Sequence, residues 1–483
     1  MAIAESDRVS TGLTGLDEIL HGGFISERTY TIRGDSGTGK TILGYHFLTQ
    51  GVTEGETALY FAFEETAKDI TANAAGLGFD LSDVIIEDMS PSADQFLDDG
   101  TYTVFGPGEV EADSIVTQIS EAIETHDPDR VFIDPLTLLR HLTPDEFQFK
   151  RTAASMMSYM KNREITTLFT TQSTSAHTDE DLQYLADGSI MMRRTENGRE
   201  LEVEKFRGSG FRSGSHGIRI DTGRGISVFP SLDPERHERP YDYETLSSDI
   251  PELDELLGGG IERGSVTLIS GPSGVGKSTT ATAFARAAAV RGERAAAFLF
   301  EESEDSFRHR SDAIGLGVSE LLDSEDFEVH EIEPLSVSAD EFAHQVCESV
   351  EQRGTEFVLL DGTAGYRIAL QDPESELRRE LHALVRYLRN MGVTVLLTDE
   401  LSSVTGTFQA SDSHVSYLAD NVLFIRYIEV DGEVRKAVGV LKKRFGAFES
   451  TLRSFEIDSD GIQVGGALSD LRGVLTGTPT RER

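Results

Sequence analysis

Two short loops carry the residues most able to do chemistry. Gly34-Asp35-Ser36-Gly37-Thr38-Gly39-Lys40-Thr41 and Gly271-Pro272-Ser273-Gly274-Val275-Gly276-Lys277-Ser278 both spell G-x-x-x-x-G-K-[ST], with their lysines 237 residues apart in a chain of 483. Glycines at these positions let backbone N–H groups converge on phosphate oxygens without Cβ clashes. The lysine reaches the β- and γ-phosphates, and Thr41 or Ser278 offers a hydroxyl ligand to Mg²⁺. A carboxylate must complete such a metal site. Asp134 ends RVFID and Asp361 ends EFVLLD, each an apolar run of the kind that forms a buried strand. Taken singly, a Gly-rich turn or a strand-end Asp capping a helix is commonplace. Two complete sets in the same order leave little room for coincidence.

Two further groups recur. Glu64-Glu65 and Glu301-Glu302 each close a short apolar run, with the first glutamate 24 residues beyond the loop lysine in both copies. A carboxylate there can orient or deprotonate a nucleophile attacking the γ-phosphate, and Glu64 and Glu301 are the expected bases. The plainer reading is a solvated glutamate pair that caps the next helix. Lys205 and Arg207, and Lys442 and Arg444, form K-x-R 237 residues apart, beyond a turn signal at Asn197-Gly198 and at Asp431-Gly432. In so acidic a chain they need an anion: an ordinary surface carboxylate, or the γ-phosphate held by a neighbouring subunit, as arginine fingers do.

The elements that must position these groups also repeat. RTYTIRG leads into the first loop and GSVTLISG into the second. TALYFAFEE matches RAAAFLFEE, and ITTLFTTQ matches VTVLLTDE. Helical stretches such as ILGYHFLTQGV and ATAFARAAAV alternate with the strands, which predicts βα units and a mostly parallel sheet, with an antiparallel hairpin at one edge. The fold class is therefore α/β, duplicated, with domains expected at 1–235 and 236–483. The join falls near the polar, proline-bearing SLDPERHERPYDYE.

The net charge is −40, and it is spread evenly: residues 1–235 hold 19 Lys+Arg against 40 Asp+Glu, or −21, leaving −19 for the remainder. With nine lysines among 44 basic residues, this is the surface of a protein kept soluble in high salt, or else simply an acidic one. Either form argues against a broad phosphate-backbone footprint for nucleic acid. The single cysteine, Cys347, excludes an internal disulfide and sits in a helical stretch as a packed thiol. No signal peptide and no membrane-length apolar run is evident, so a cytoplasmic location is expected.

Together these residues resemble the KaiC family, a duplicated branch of the RecA-like P-loop ATPases. The leading segments VSTGLTGLDEILHGGF and SSDIPELDELLGGGI, the FEET and FEES segments and the K-x-R segments carry the likeness, which covers nearly the whole chain. The resemblance implies ATP and Mg²⁺ as ligands, ATP at the interfaces of a homohexamer, and a second ring that phosphorylates itself. The family pattern has two adjacent hydroxyl acceptors in the second domain. Here Ser416 matches the first, Tyr417 stands where the threonine is expected, and Ser411 matches a nearby threonine. The equivalent first-half stretch, DEDLQYLAD, has no hydroxyl beside Tyr184. The expectation is thus an ATPase whose second domain marks itself at Ser416 or Ser411, acting as a signalling or timing switch. The alternatives are a RecA-like DNA-dependent motor and a nucleotide-gated scaffold with negligible turnover.

Overall fold

The computed structural model describes residues 8–90, 107–143, 145–172, 180–195, 198–333, 337–369, 374–401, 416–430, 432–469, 471–472 and 480–481. The chain divides into two compact units, Met1–Ser231 and Leu232–Arg483. The first is built on β1 (Thr29–Arg33), β2 (Ala58–Ala62), β3 (Ile85–Asp88), β4 (Arg130–Asp134), β5 (Thr166–Thr171), β6 (Gly188–Thr195), β7 (Gly198–Phe206), β8 (Ser215–Asp221) and β9 (Gly225–Phe229). They form one sheet in the order β9-β8-β7-β6-β1-β5-β4-β2-β3. The second unit repeats it with β10 (Val266–Gly271), β11 (Ala295–Leu299), β12 (Phe327–Glu331), β13 (Phe357–Asp361), β14 (Thr394–Glu400), β15 (Asn421–Val430), β16 (Glu433–Lys443), β17 (Arg453–Asp458) and β18 (Gly461–Ala467). Its order is β12-β11-β13-β14-β10-β15-β16-β17-β18, the same arrangement.

Strands β3-β2-β4-β5-β1-β6 pair in parallel, and their counterparts do likewise. Their near-continuous apolar runs have a simple cause: a parallel sheet covered on both faces leaves no strand a polar side. The antiparallel part is larger than one hairpin. β6 to β9, and β15 to β18, each run as two successive hairpins. Asn197 and Asp431, read as turn residues, lie outside the described residues; the strands on either side of each do pair antiparallel.

The leading segments are held in the same way in both copies. The Asp17 carboxylate accepts from the Thr11 amide at 2.8 Å and the Ser10 hydroxyl at 2.6 Å. Asp254 accepts from the Ser248 amide at 2.8 Å and from the Ser247 hydroxyl at 2.5 Å. The segment read as a polar join lies against the second unit. Asn390 donates to the Pro234 carbonyl at 2.8 Å, and His237 packs edge-on against Tyr387. The Tyr241 ring covers Gly264 and Gly392, where a Cβ would come within 2.5 and 2.6 Å of it. Cys347 packs against the second unit's core on the helix Ala339–Gln352, as a thiol with no disulfide.

Candidate nucleotide sites

Each loop leaves its first strand and enters a helix, α1 (Lys40–Glu54) or α2 (Lys277–Val290). The residues before these helices, Gly39 and Gly276, have φ of 106° and 115°, where a side chain would be strained. A Cβ on Gly39 would also meet Ile220 of β8 at 2.8 Å, and one on Gly276 would meet Ile457 of β17 at 2.4 Å. The second hairpins thus brace the loops.

The first site is a cavity of about 390 Å³ lined by Ser36, Gly37, Lys40, Thr41, Glu64, Asp134 and Gln172, among others. The Lys40 ammonium donates to the carbonyls of Gly34 at 2.6 Å and Asp35 at 2.8 Å. Thr41 donates to Asp134 at 2.6 Å, and Thr170 of β5 donates to the other Asp134 oxygen. In the second site Lys277 donates to the Pro272 carbonyl at 3.0 Å. Ser278 and Thr398 donate to Asp361 at 2.9 and 2.7 Å. Hydroxyl and carboxylate therefore meet at the expected metal position in both copies. A lysine held by its own loop's carbonyls, above a helix N-terminus, suits a bound triphosphate and Mg²⁺. The residues present fit both ligands.

The paired glutamates separate into two roles. Glu65 accepts from Asn73 at 2.9 Å, and Glu302 is ion-paired with Arg310. Asn73 and Arg310 each stand eight residues further on, in the next helix. The second glutamate of each pair is thus an anchor. Both Glu64 and Glu65 line the first cavity, but among the described residues Glu64 has no such anchor in the next helix. Partial burial and then Asp134 push the Glu64 carboxyl above its ordinary pKa. Glu301 is also raised, by burial first, against the opposing Gly365 amide that donates to it at 3.2 Å. Both side chains still touch solvent. A carboxylate with a raised pKa holds an abstracted proton better, which suits a base.

Both K-x-R segments come directly after a β-bulge. Ser189 pairs with Lys205 and Ile190 with Val203, so Glu204 is the extra residue. Val422 pairs with Lys442 and Leu423 with Val440, so Leu441 is. The bulge re-aims the residues beyond it. Lys205 donates to the carbonyls of Gln183, Tyr184 and Ala186, and Lys442 to that of Ala419. Arg207 reaches the Tyr184 carbonyl at 3.1 Å, and Arg444 the Asp420 carboxylate at 2.9 Å. Between the latter pair, Lys443 is buried and ion-paired with Glu262 at 2.9 Å, a structural role. Ser416 is half-buried in the turn before β15; Ser411 lies outside the described residues.

The architecture and the paired loop sites define a tandem P-loop ATPase with a RecA-like sheet. The family description "ATPase: KaiC" matches residues 9–233 and again 246–469. The chain belongs to the KaiC family. It is 26% identical to the circadian clock oscillator protein KaiC of Acaryochloris marina over 99% of this chain and 92% of that protein. It is likewise 26% identical to that of Prochlorococcus marinus, over 98% and 96%. The circadian clock protein KaiC3 of Synechocystis is 24% identical over 98% and 94%. Among the described residues no helix is long and apolar enough to cross a membrane.

Proposed function

We propose that the first copy hydrolyses ATP and drives assembly of a ring, while the second transfers a phosphoryl group to Ser416 of the same protein. Bound Mg·ATP supplies the electrophilic phosphorus and the metal charge that stabilises the transferring group. The chain does the rest. Lys40 and Lys277 exchange their loop carbonyls for phosphate oxygens. Thr41 with Asp134, and Ser278 with Asp361, hold the metal. Glu64 takes the proton of a water whose oxygen bonds to the γ-phosphorus, releasing phosphate. Glu301 takes that of the Ser416 hydroxyl as its oxygen bonds to the γ-phosphorus. In each case the β–γ bridging P–O bond breaks and ADP leaves. Lys205, Arg207, Lys442 and Arg444 would reach across to a neighbouring copy in a homohexamer, with ATP at each interface.

The observation that carries the division of labour is one substitution. The stretch before the strand that pairs with the K-x-R strand holds Gln183, in the short helix Glu180–Leu185, in the first copy and Ser416, in a turn, in the second, each followed by an exposed tyrosine. Only the second offers a hydroxyl. A cytoplasmic signalling or timing switch is the biological role this supports, with no nucleic-acid or membrane partner required.

The test is peptide mass spectrometry of the full chain after incubation with Mg·ATP in high salt, beside Glu301→Gln. Phosphate on Ser416, absent from the variant, is expected. Continued ATP hydrolysis with no phosphate on any residue would overturn the kinase half.

A further inference from the structure

Outside the nucleotide sites, the second unit has a cavity of about 510 Å³ lined by His382, Arg386, Arg389, Tyr417, Leu418 and Arg444, with Val385 and Asn390. His382, Arg386 and Arg389 come from one helix, α3 (Glu374–Asn390), at positions i, i+4 and i+7, so they share a face. Arg444 arrives from beyond the β16 bulge. Val385 and Leu418 are buried and form an apolar floor under the charges. Three guanidinium groups converge here in a chain of net charge −40.

Two carboxylates answer them, unequally. Asp420 is fully buried; it faces Arg444 at 2.9 Å and Arg389 at 3.7 Å, and also accepts from the Val266 amide. It aims two arginines but neutralises one charge. Glu235, which meets Arg386 at 3.2 Å, is 72% exposed and free to swing into water. The first copy shows what the fold needs without this cavity's charge. There Lys161 holds Asp187 at 3.0 Å, as Arg389 faces Asp420. At the positions of His382 and Arg386, however, stand Ala154 and Ser158. The extra basic residues occur in the copy that has Ser416 in place of Gln183.

We propose that this cavity is a phosphoryl-recognition site, in which Arg386 and Arg389, with His382 beside them on the same helix face, take a phosphomonoester or phosphate dianion. Converging planar guanidinium forks satisfy several oxygens of one phosphoryl group, whereas a single carboxylate would engage only one of them bidentately. A lone pocket on an acidic surface lacks the basic stripe a nucleic acid needs. One source is phosphorylated Ser416, the residue before Tyr417, which lines the cavity and whose ring stacks on His382 with centroids 6.3 Å apart. That source rests on the autophosphorylation proposed above; recognition of a phosphoryl group does not. The other source is a phosphate held in trans, free or on a nucleotide.

The experiment installs phosphoserine at 416 of the full chain by co-translational incorporation and tracks its ³¹P resonance against pH, with both nucleotide sites filled by Mg·ADP. An unperturbed phosphoserine titrates near ~6, and two facing arginines should lower that by about one pH unit. The double variant Arg386→Gln/Arg389→Gln, whose wild-type side chains are 52% and 36% exposed, should restore it. A shift reversed by the variant establishes Ser416 as the source, even if Mg·ATP alone leaves Ser416 unmodified and so sinks the kinase reading. An unshifted phosphoserine, together with inorganic phosphate binding that the double variant weakens about tenfold, establishes the trans source. No effect of the double variant on either signal overturns the proposal.

Discussion

The two nucleotide sites share a scaffold and differ in charge. At the carboxyl ends of β5 and β14 the first site presents Thr171 and Gln172, the second Asp399 and Glu400. Asp399 is buried and accepts from Thr363 at 2.6 Å, while Glu400 comes to 4.0 Å from Lys277. Burial draws the Lys277 ammonium below its ordinary pKa, and Glu400, Glu301, Asp361 and Asp399 together oppose that. The first site reverses the pattern of bulk. Tyr45, Tyr60 and Phe79 pack around its helix, where the second has Thr282 and Ala297 opposite the first two. Duplication kept the hydroxyl–carboxylate pair after each loop and the first glutamate of each pair, and let the residues at the ends of β5 and β14 diverge. The first site places Gln172, and the second Glu400, at the strand end near its loop lysine, so the second carries an additional carboxylate there.

The comparison breaks most sharply at the bases. Glu64→Gln should cut steady-state ATP hydrolysis by about 10²–10⁴-fold while leaving Ser416 modification at its normal rate; Glu301→Gln should do the reverse. Equal loss of both activities in either variant, by phosphate release and mass spectrometry, would erase the division of labour. Next come the loop lysines. Lys40→Ala and Lys277→Ala should each weaken nucleotide affinity at their own site by about ten- to a hundredfold, the worth of a hydrogen bond to a charged group. Fluorescent-nucleotide titration measures this, and sizing should show ring formation lost with Lys40→Ala only.

A smaller change sharpens the contrast in charge. Glu400→Gln should tighten ATP relative to ADP at the second site by about three- to tenfold, since a carboxylate beside Lys277 opposes the γ-phosphate. Gln172→Glu should weaken it at the first by the same factor. Unchanged ATP/ADP preference in both would show that Glu400 turns away when nucleotide binds.

A separate effect, on stability alone, concerns acid. His46 accepts from the Ile226 amide at 2.9 Å, and burial pushes its pKa down to about 4; the second copy has Ala283 there. The unfolded chain protonates this histidine near ~6.5, so the stability it lends is complete above that pH and is lost as pH falls toward 4. Between pH 7 and 5 the first unit should lose about 1–2 kcal/mol, a few degrees in melting temperature, and His46→Gln should abolish the difference. Calorimetry on wild type and variant reads it directly.

Much of this was legible because it is written in short spacings. The loops, their strand-end aspartates, the 24-residue interval to Glu64 and Glu301, and the alternation of strand and helix need no tertiary information. The anchoring of Glu65 by Asn73 and of Glu302 by Arg310 was hidden, since unlike residues do the same job eight positions along. The bulges at Glu204 and Leu441 were hidden too, because a two-against-one count exists only once a partner strand is in register. The cavity beside Tyr417 depends on α3 and the β16 bulge meeting in space. Its only trace in sequence is a pair of basic residues where the other copy has alanine and serine.

The strap formed by residues 232–244 bears on where this chain can be cut in two. Tyr241 fills the space above two glycines that accept nothing larger, so a second half begun at the family boundary near 246 would start with a hole in its wall. A half begun at Leu232 carries its own lid, and the first half ends cleanly on β9. Linker length between the copies is therefore shorter than the sequence advertises, and swapping or separating them should be done at the 231/232 seam.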